Sequence, residues 1–241
     1  MQLFYNPDIT EETSNFHFDK TESRHIVKVL RKKEGDLLHI TNGKGFLFEV
    51  EIVVANDKKC LVSVTKAHKK PKHWNYYLHI AIAPTKNNDR LEWFLEKATE
   101  IGIDEITPII CSNSERVVLK IERQEKILQS AMKQSLKFVL PQLNEPIKFS
   151  DFIVQDFDSD LFIAHCEETD KKSLVHEVKP KQRVLIMIGP EGDFSPKEIE
   201  KALNRGFVPV SLGESRLRTE TAGIIATHTV ALLNQLASKI I

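Results

Sequence analysis

Val184-Leu185-Ile186-Met187-Ile188-Gly189-Pro190-Glu191-Gly192-Asp193-Phe194-Ser195 is the stretch on which the fold turns. Leu212-Gly213-Glu214-Ser215-Arg216-Leu217-Arg218-Thr219-Glu220-Thr221-Ala222 follows closely behind it. Val184 to Ile188 is an unbroken apolar run of strand length, the pattern of a strand covered on both faces. Gly189 and Gly192 then permit a sharp turn and close approach of a ligand to backbone. Ser195 is a good N-cap, Pro196 suits the first helical position and Glu198 completes a capping box. A helix is therefore predicted to about Asn204, stopped by Gly206. Val208 to Leu212 reads as the next strand, and a last helix starts near Thr219 or Thr221. Both glycine loops thus fall at the carboxyl ends of strands in a strand-helix-strand unit, where open α/β sheets bind their ligands.

Several ligand classes are excluded by wording. Neither loop is G-x-G-x-x-G, so a dinucleotide fingerprint is missing, and neither is G-x-x-x-x-G-K-S/T, so a Walker phosphate cradle is missing. The nucleophile elbow G-x-S-x-G is absent too. Spacing alone leaves two readings open: a ligand site, or two tight turns that bind nothing.

The wording of both loops together resembles the bacterial ribosomal RNA small subunit methyltransferase E family. That family modifies N3 of a uridine in 16S rRNA and belongs to the SPOUT superfamily. The resemblance implies an α/β fold: a C-terminal SPOUT domain, trefoil-knotted on a mostly parallel sheet, behind a small N-terminal PUA-like β-barrel. It implies S-adenosylmethionine as cofactor, with Gly189, Pro190 and Gly192 in one loop and Leu212, Gly213, Leu217, Thr219 and Ala222 in the other. It also implies a homodimer with the active site at the interface. Uracil N3 carries a proton, so the base must be flipped out and its anion stabilised. Arg218 is the candidate for that stabilisation, and Glu191, with Glu220 behind it, for accepting the proton. Two alternatives stand: methylation at another RNA position such as a ribose 2′-hydroxyl, or a non-catalytic RNA-binding assembly factor.

Composition fits this reading. The 241 residues carry 41% hydrophobic and 28% charged side chains, ordinary for a globular protein of one large or two small domains. Cys60, Cys111 and Cys166 form no C-x-x-C pair, and no signal-peptide pattern or membrane-length apolar run is present, so a cytoplasmic setting is expected. The histidines show no H-E-x-x-H or H-x-H cluster, and no metal is expected. Net charge is zero, but residues 1–72 hold 13 Lys/Arg against 10 Asp/Glu, a basic bias of three.

Residues 1–70 read as the first domain. Gln2–Tyr5, Leu37–Thr41, Gly45–Val54 and Lys59–Lys66 have strand character, with Phe46, Phe48, Val50 and Ile52 on one alternating face. Glu22–Leu30 reads as a short amphipathic helix. The cations around it, among them Arg24, Lys28 and Arg31, are either a solvated face or a contact for RNA phosphates. The run Lys66–His73 is the expected linker.

Residues 74–241 form the second domain. Tyr77–Ala83 is a strand, Asn88 caps a helix to about Glu100, Glu105–Cys111 is the next strand, and Leu119–Phe138 is a long helix. Lys86 and Arg90, with Lys97 and Glu100, match a family pattern, as does Ser114-Glu115-Arg116; Lys86, Arg90 and Arg116 are therefore RNA-contact candidates. Lys133 and Lys137 depart from the family, standing where an acid and an arginine are expected. Residues 142–160 read as a connector and Leu161–Ala164 as a strand. His165-Cys166-Glu167-Glu168 follows it, in a loop that the resemblance makes another wall of the cofactor pocket, with His165 as a contact. In the last helix Ile224, Ile225, Val230, Leu232, Leu233, Leu236 and Ile240 spread over more than one face, which suits burial or a second subunit.

Overall fold

The computed structural model describes residues 1–167 and 170–238, so Glu168 and Ile240 lie outside the described residues. Two compact units result: Met1–His73 with Met132–Leu140, and Trp74–Ala131 with the chain from Pro141 onward.

The first unit contains β1 (Leu3–Tyr5), β2 (Asn15–His17), α1 (Lys20–Arg24), β3 (Leu37–Thr41), β4 (Phe46–Val54) and β5 (Leu61–Lys69). The sheet order is β1-β3-β4-β5-β2. β1 runs parallel to β3 and the other pairs are antiparallel. Phe48, Val50 and Ile52 alternate inward as expected, and join Phe4, Ile26, Ile40 and Val62 in one apolar cluster. β2 has no signal in the sequence, because three residues are too few for an alternation to be counted. The expected helix over 22–30 is instead a short α1, capped by Asp19, followed by a π-helical turn over His25–Val29. Its widened ladder is marked by Leu30 N–H donating to the His25 carbonyl at 2.9 Å.

β5 extends to Lys69, so half of the basic run read as a linker is strand. The predicted helix over 119–138 also stops early. Leu136 takes a left-handed φ of 53°, and Phe138 and Leu140 hydrogen-bond to Gly45 and Gly43 at 2.8 Å. Met132–Leu140 thereby joins the first unit. Lys133 lies 3.6 Å from Glu22 in this unit, so the lysine that replaces an expected acid meets an acid.

The second unit is built on a fully parallel sheet. Its elements are β6 (Tyr77–Ile82), α2 (Asn88–Ile101), β7 (Glu105–Ile110), α3 (Ile121–Gln134), β8 (Gln142–Leu143), β9 (Ile147–Lys148), α4 (Phe149–Phe152), β10 (Asp160–Ala164), β11 (Lys172–Ser173), α5 (Leu174–Glu177), β12 (Arg183–Ile188), α6 (Pro196–Asn204), β13 (Val208–Ser211) and α7 (Thr219–Ser238). The strand order is β11-β13-β10-β12-β6-β7-β8, with β9 beside β7. The cap of α2 is Asn87 rather than Asn88, its side chain accepting from Asp89 N–H at 3.0 Å. The region read as a connector over 142–160 instead begins with the two-residue strands β8 and β9 and the four-residue α4, each too short to show a period.

Val184–Ile188 is buried throughout, because each face of the sheet is covered. Ala81, Ala83, Leu185 and Met187 meet Phe149, Phe152, Phe194 and Ile199 on one face. On the other, Ile82 meets Phe94 of α2 and Gly223 of α7. A Cβ at Gly223 would sit 2.7 Å from two carbons of the Phe94 ring. Gly223→Ala should therefore destabilise the protein by about 1–3 kcal/mol from overpacking, against roughly 1 kcal/mol gained in helix propensity. Urea denaturation checks this; an unchanged or raised midpoint would show that the ring yields freely.

At the amino-terminal edge of the sheet His79 is buried, its Nε2 2.7 Å from Thr107 Oγ1 and its Nδ1 3.6 Å from Glu105. Burial pushes its pKa down from 6.5 to about 4, against the pull of Glu105. Between those values the unfolded chain binds a proton that the folded chain does not. The stability contributed by neutral His79 is complete above the window and is lost as pH falls through it. His79→Gln should flatten the fall in stability between pH 7 and 5, read by urea denaturation at both.

Candidate functional site

β10 is hydrogen-bonded to β12 on one side and to β13 on the other. In a parallel sheet the carboxyl ends of all three point the same way, so the loops that leave them stand side by side. They enclose two adjoining hollows with Ala164, Cys166, Asp193, Leu217 and Ala222 in their shared wall. The larger, about 540 Å³, lies between His165, Cys166, Glu167 and Lys171 on one side and the Ser211–Leu217 loop on the other. The smaller, about 260 Å³, is bounded by Gly189, Pro190, Glu191, Arg218 and Thr219. Gly192 lies beside this wall and has its carbonyl held by Asn113 Nδ2 at 3.1 Å.

Side chains fix the loops to one another. Asp193 takes a left-handed φ of 63°, which Asp tolerates better than most residues. Its carboxylate accepts from Cys166 N–H at 2.7 Å and Phe194 N–H at 2.8 Å, joining the loops after β10 and β12. Lys171 donates to the carbonyls of His165 and Glu167 at 2.9 and 2.8 Å. Thr219 Oγ1 donates to the Gly189 carbonyl at 3.0 Å and so registers the start of α7 on the β12 loop. The capping box at α6 serves a further purpose. Glu198 Oε2 accepts from Ser195 N–H and Oε1 accepts from Ser112 N–H, each at 2.8 Å, which ties in the loop after β7.

His165 directly follows β10, with 7% of its surface exposed. Among the described residues neither of its ring nitrogens has a hydrogen-bond partner. Burial, helped by Lys171, lowers its pKa from 6.5, so the ring is neutral at neutral pH.

Comparison with known proteins fits this geometry. Residues 53–231 match the model of an RNA methyltransferase domain, and residues 18–65 that of an RNA methyltransferase PUA domain. A Buchnera aphidicola relative named ribosomal RNA small subunit methyltransferase E is 30% identical over 223 residues, covering 89% of this chain and 87% of its own. The chain belongs to the ribosomal RNA small subunit methyltransferase E family. A solved structure from Porphyromonas gingivalis, described as a probable rRNA-methyltransferase, is 44% identical with a TM-score of 0.92, covering 98% of this chain and all of that one. A Legionella pneumophila protein described as a methyltransferase and solved with bound SAM is 26% identical with a TM-score of 0.86, covering 95% and 96%.

In this RNA methyltransferase the candidate residues divide by what already holds them. Arg218 is exposed at the smaller hollow, and among the described residues its guanidinium makes no ion pair. Glu220 pairs instead with Arg90, at 3.7 Å. Glu191 accepts from Lys86 N–H at 3.0 Å, binding the β12 loop to the one after β6. Lys86 Nζ lies 2.8 Å from Glu115, which raises its pKa. Arg116 donates to the carbonyls of Thr85 and Lys86, the shortest bond being 2.7 Å, so it shapes that loop. In the first unit Arg24 and Arg31 are exposed, and Lys28 lies 3.6 Å from Asp57. Among the described residues no group of three His, Cys, Asp or Glu side chains gathers to hold a metal.

Sequence reasoning passed over Asp193, Lys171 and Asn113. Asp193 had one local signal, an acidic residue between Gly192 and Phe194 in a tight turn. Asn113 acts across the fold and has none, while Lys171 acts within its own loop, where a lone lysine gives no pattern. Asp193→Ala should speed hydrogen exchange of the Cys166 amide about tenfold or more, the loss of a charge-assisted bond. Mass spectrometry of a peptide spanning the loop reads this. Unchanged protection there would mean that Lys171 alone holds the loop.

Proposed function

We propose that this enzyme uses S-adenosylmethionine to methylate N3 of a uridine in the 16S rRNA of the small ribosomal subunit. The observation that carries the reading is the paired hollow at the carboxyl edge of the sheet, with the unpaired Arg218 at its rim. Family membership and the SAM-bound Legionella protein support it.

The residues fit the cofactor. The smaller hollow offers loop backbone at Gly189 and Pro190, with Gly192 behind its lining, and the larger offers Leu212, Gly213 and Leu217 with Ala222 beneath. His165 adds a buried polar wall, and Thr219 holds the two sides together. Bound there, S-adenosylmethionine supplies a methyl group on a positively charged sulfur. The protein's task is alignment, which demands fixed loops rather than strong acid or base.

Uracil N3 is protonated and paired in a duplex, so the base is presented unstacked. Arg218 stabilises negative charge on the ring as the N3 proton leaves. Glu191, fixed through one oxygen by Lys86, keeps its other oxygen for that proton. Arg24, Lys28, Arg31 and Lys86 contact RNA phosphates, and binding weakens as salt rises. Arg90 and Arg116 act there mainly by holding protein groups in place. A second copy covers the exposed stripe Ile225, Leu232 and Leu236 on α7, giving a homodimer. The reaction takes place in the cytoplasm, where small subunits are. Among the described residues no helix is long and apolar enough to cross a membrane.

The test is methyl transfer into small-subunit particles and naked 16S rRNA, with the modified nucleoside mapped by mass spectrometry. A methyl on a ribose 2′-oxygen, or none on uridine N3, sinks the assignment. Arg218→Ala should lower turnover at least about a hundredfold, the scale of losing one charge-stabilising group. Cofactor affinity should remain within a few-fold of wild type, checked by calorimetry.

A further inference from the structure

The larger hollow contains a side chain that the fold itself does not use. The His165 ring is almost fully buried, yet both of its nitrogens lack a hydrogen-bond partner among the described residues. Buried polar groups are nearly always satisfied, and an exception in a native fold calls for a partner from outside. The backbone that carries the ring is also fixed. Lys171 grips the carbonyl of His165, and Asp193 grips the amide of Cys166 next to it. Both charged neighbours are thereby engaged with backbone, and neither satisfies the imidazole.

The kind of partner follows from what a neutral imidazole can do. One nitrogen donates and the other accepts. A carboxylate calls for a cation and an ammonium for an anion, whereas a hydroxyl pair both donates and accepts. Across the hollow, Leu212, Gly213 and Leu217 present apolar surface and backbone suited to a flat base. Building on the cofactor reading above, we propose that His165 recognises the ribose hydroxyls of the bound adenosine. It thereby selects a ribonucleoside donor over a deoxyribonucleoside one.

Calorimetry with S-adenosylhomocysteine and its 2′-deoxy and 3′-deoxy analogues tests this without turnover. Wild type should bind one or both analogues about tenfold or more weakly than the parent, the scale of one buried hydrogen bond. His165→Phe should bind the parent about tenfold more weakly than wild type does, and that analogue no more weakly than the parent. His165→Gln, which keeps a donor and an acceptor, should fall between wild type and His165→Phe. Thermal denaturation confirms that the variants fold; should the Phe variant not fold, His165→Ala takes its place. Wild-type affinity in the variant, or the same deoxy penalty in variant and wild type, overturns the proposal. If wild type itself binds neither S-adenosylmethionine nor S-adenosylhomocysteine, the cofactor reading fails first and takes this one with it.

Discussion

The pairing of β10 with both β12 and β13 is the constraint on which the site depends. Parallel strands deliver their carboxyl ends to one edge of a sheet, and adjacency brings the following loops into contact. The unbroken apolar run of β12 then anchors the arrangement, because its side chains reach apolar layers on both faces. A hollow at this edge is a by-product of strand order. A usable hollow also needs loops that do not move.

That second need explains why so many charged groups near the site are engaged with backbone. Asp193, Glu191, Glu198 and Arg116 each hold an amide or a carbonyl of a neighbouring loop, and Lys171 holds carbonyls of its own. Charge-assisted bonds of this kind are stronger than neutral ones and suit segments that lack secondary structure. Against this background Arg218 and His165 stand out for the opposite reason. One is an exposed cation without an ion pair and the other a buried imidazole without a hydrogen-bond partner, among the described residues. Methyl transfer from a sulfonium asks little of acid or base groups, so a rigid frame with few free functional groups matches the chemistry.

The first unit carries its own lesson. Met132–Leu140 leaves the second unit at the end of α3 and completes the turn between β3 and β4 through backbone hydrogen bonds. Lys133, standing where an acid is expected, is matched within that unit by Glu22. The π-helical turn at His25–Val29 occurs where a simple amphipathic helix is the natural reading, because one widened turn leaves the apolar spacing almost unchanged.

Local chemistry wrote much of this protein into its sequence. The apolar run of β12, the capping box of α6 and the glycines that end loops and helices act within a few residues, so they are legible without a structure. The two-loop wording carried the family and, through it, the cofactor. Pairwise use of charges could not be read that way. Glu191 and Lys86, Asp193 and Cys166, and Arg90 and Glu220 are far apart along the chain, and only the packed sheet decides which meet. The same holds for the short strands β2, β8, β9 and β11, which exist because neighbouring strands offer free edges. Whether a polar side chain is satisfied is likewise a property of three-dimensional surroundings, which is why His165 reads as an ordinary loop histidine in sequence and as an unfilled hydrogen-bonding position in the fold.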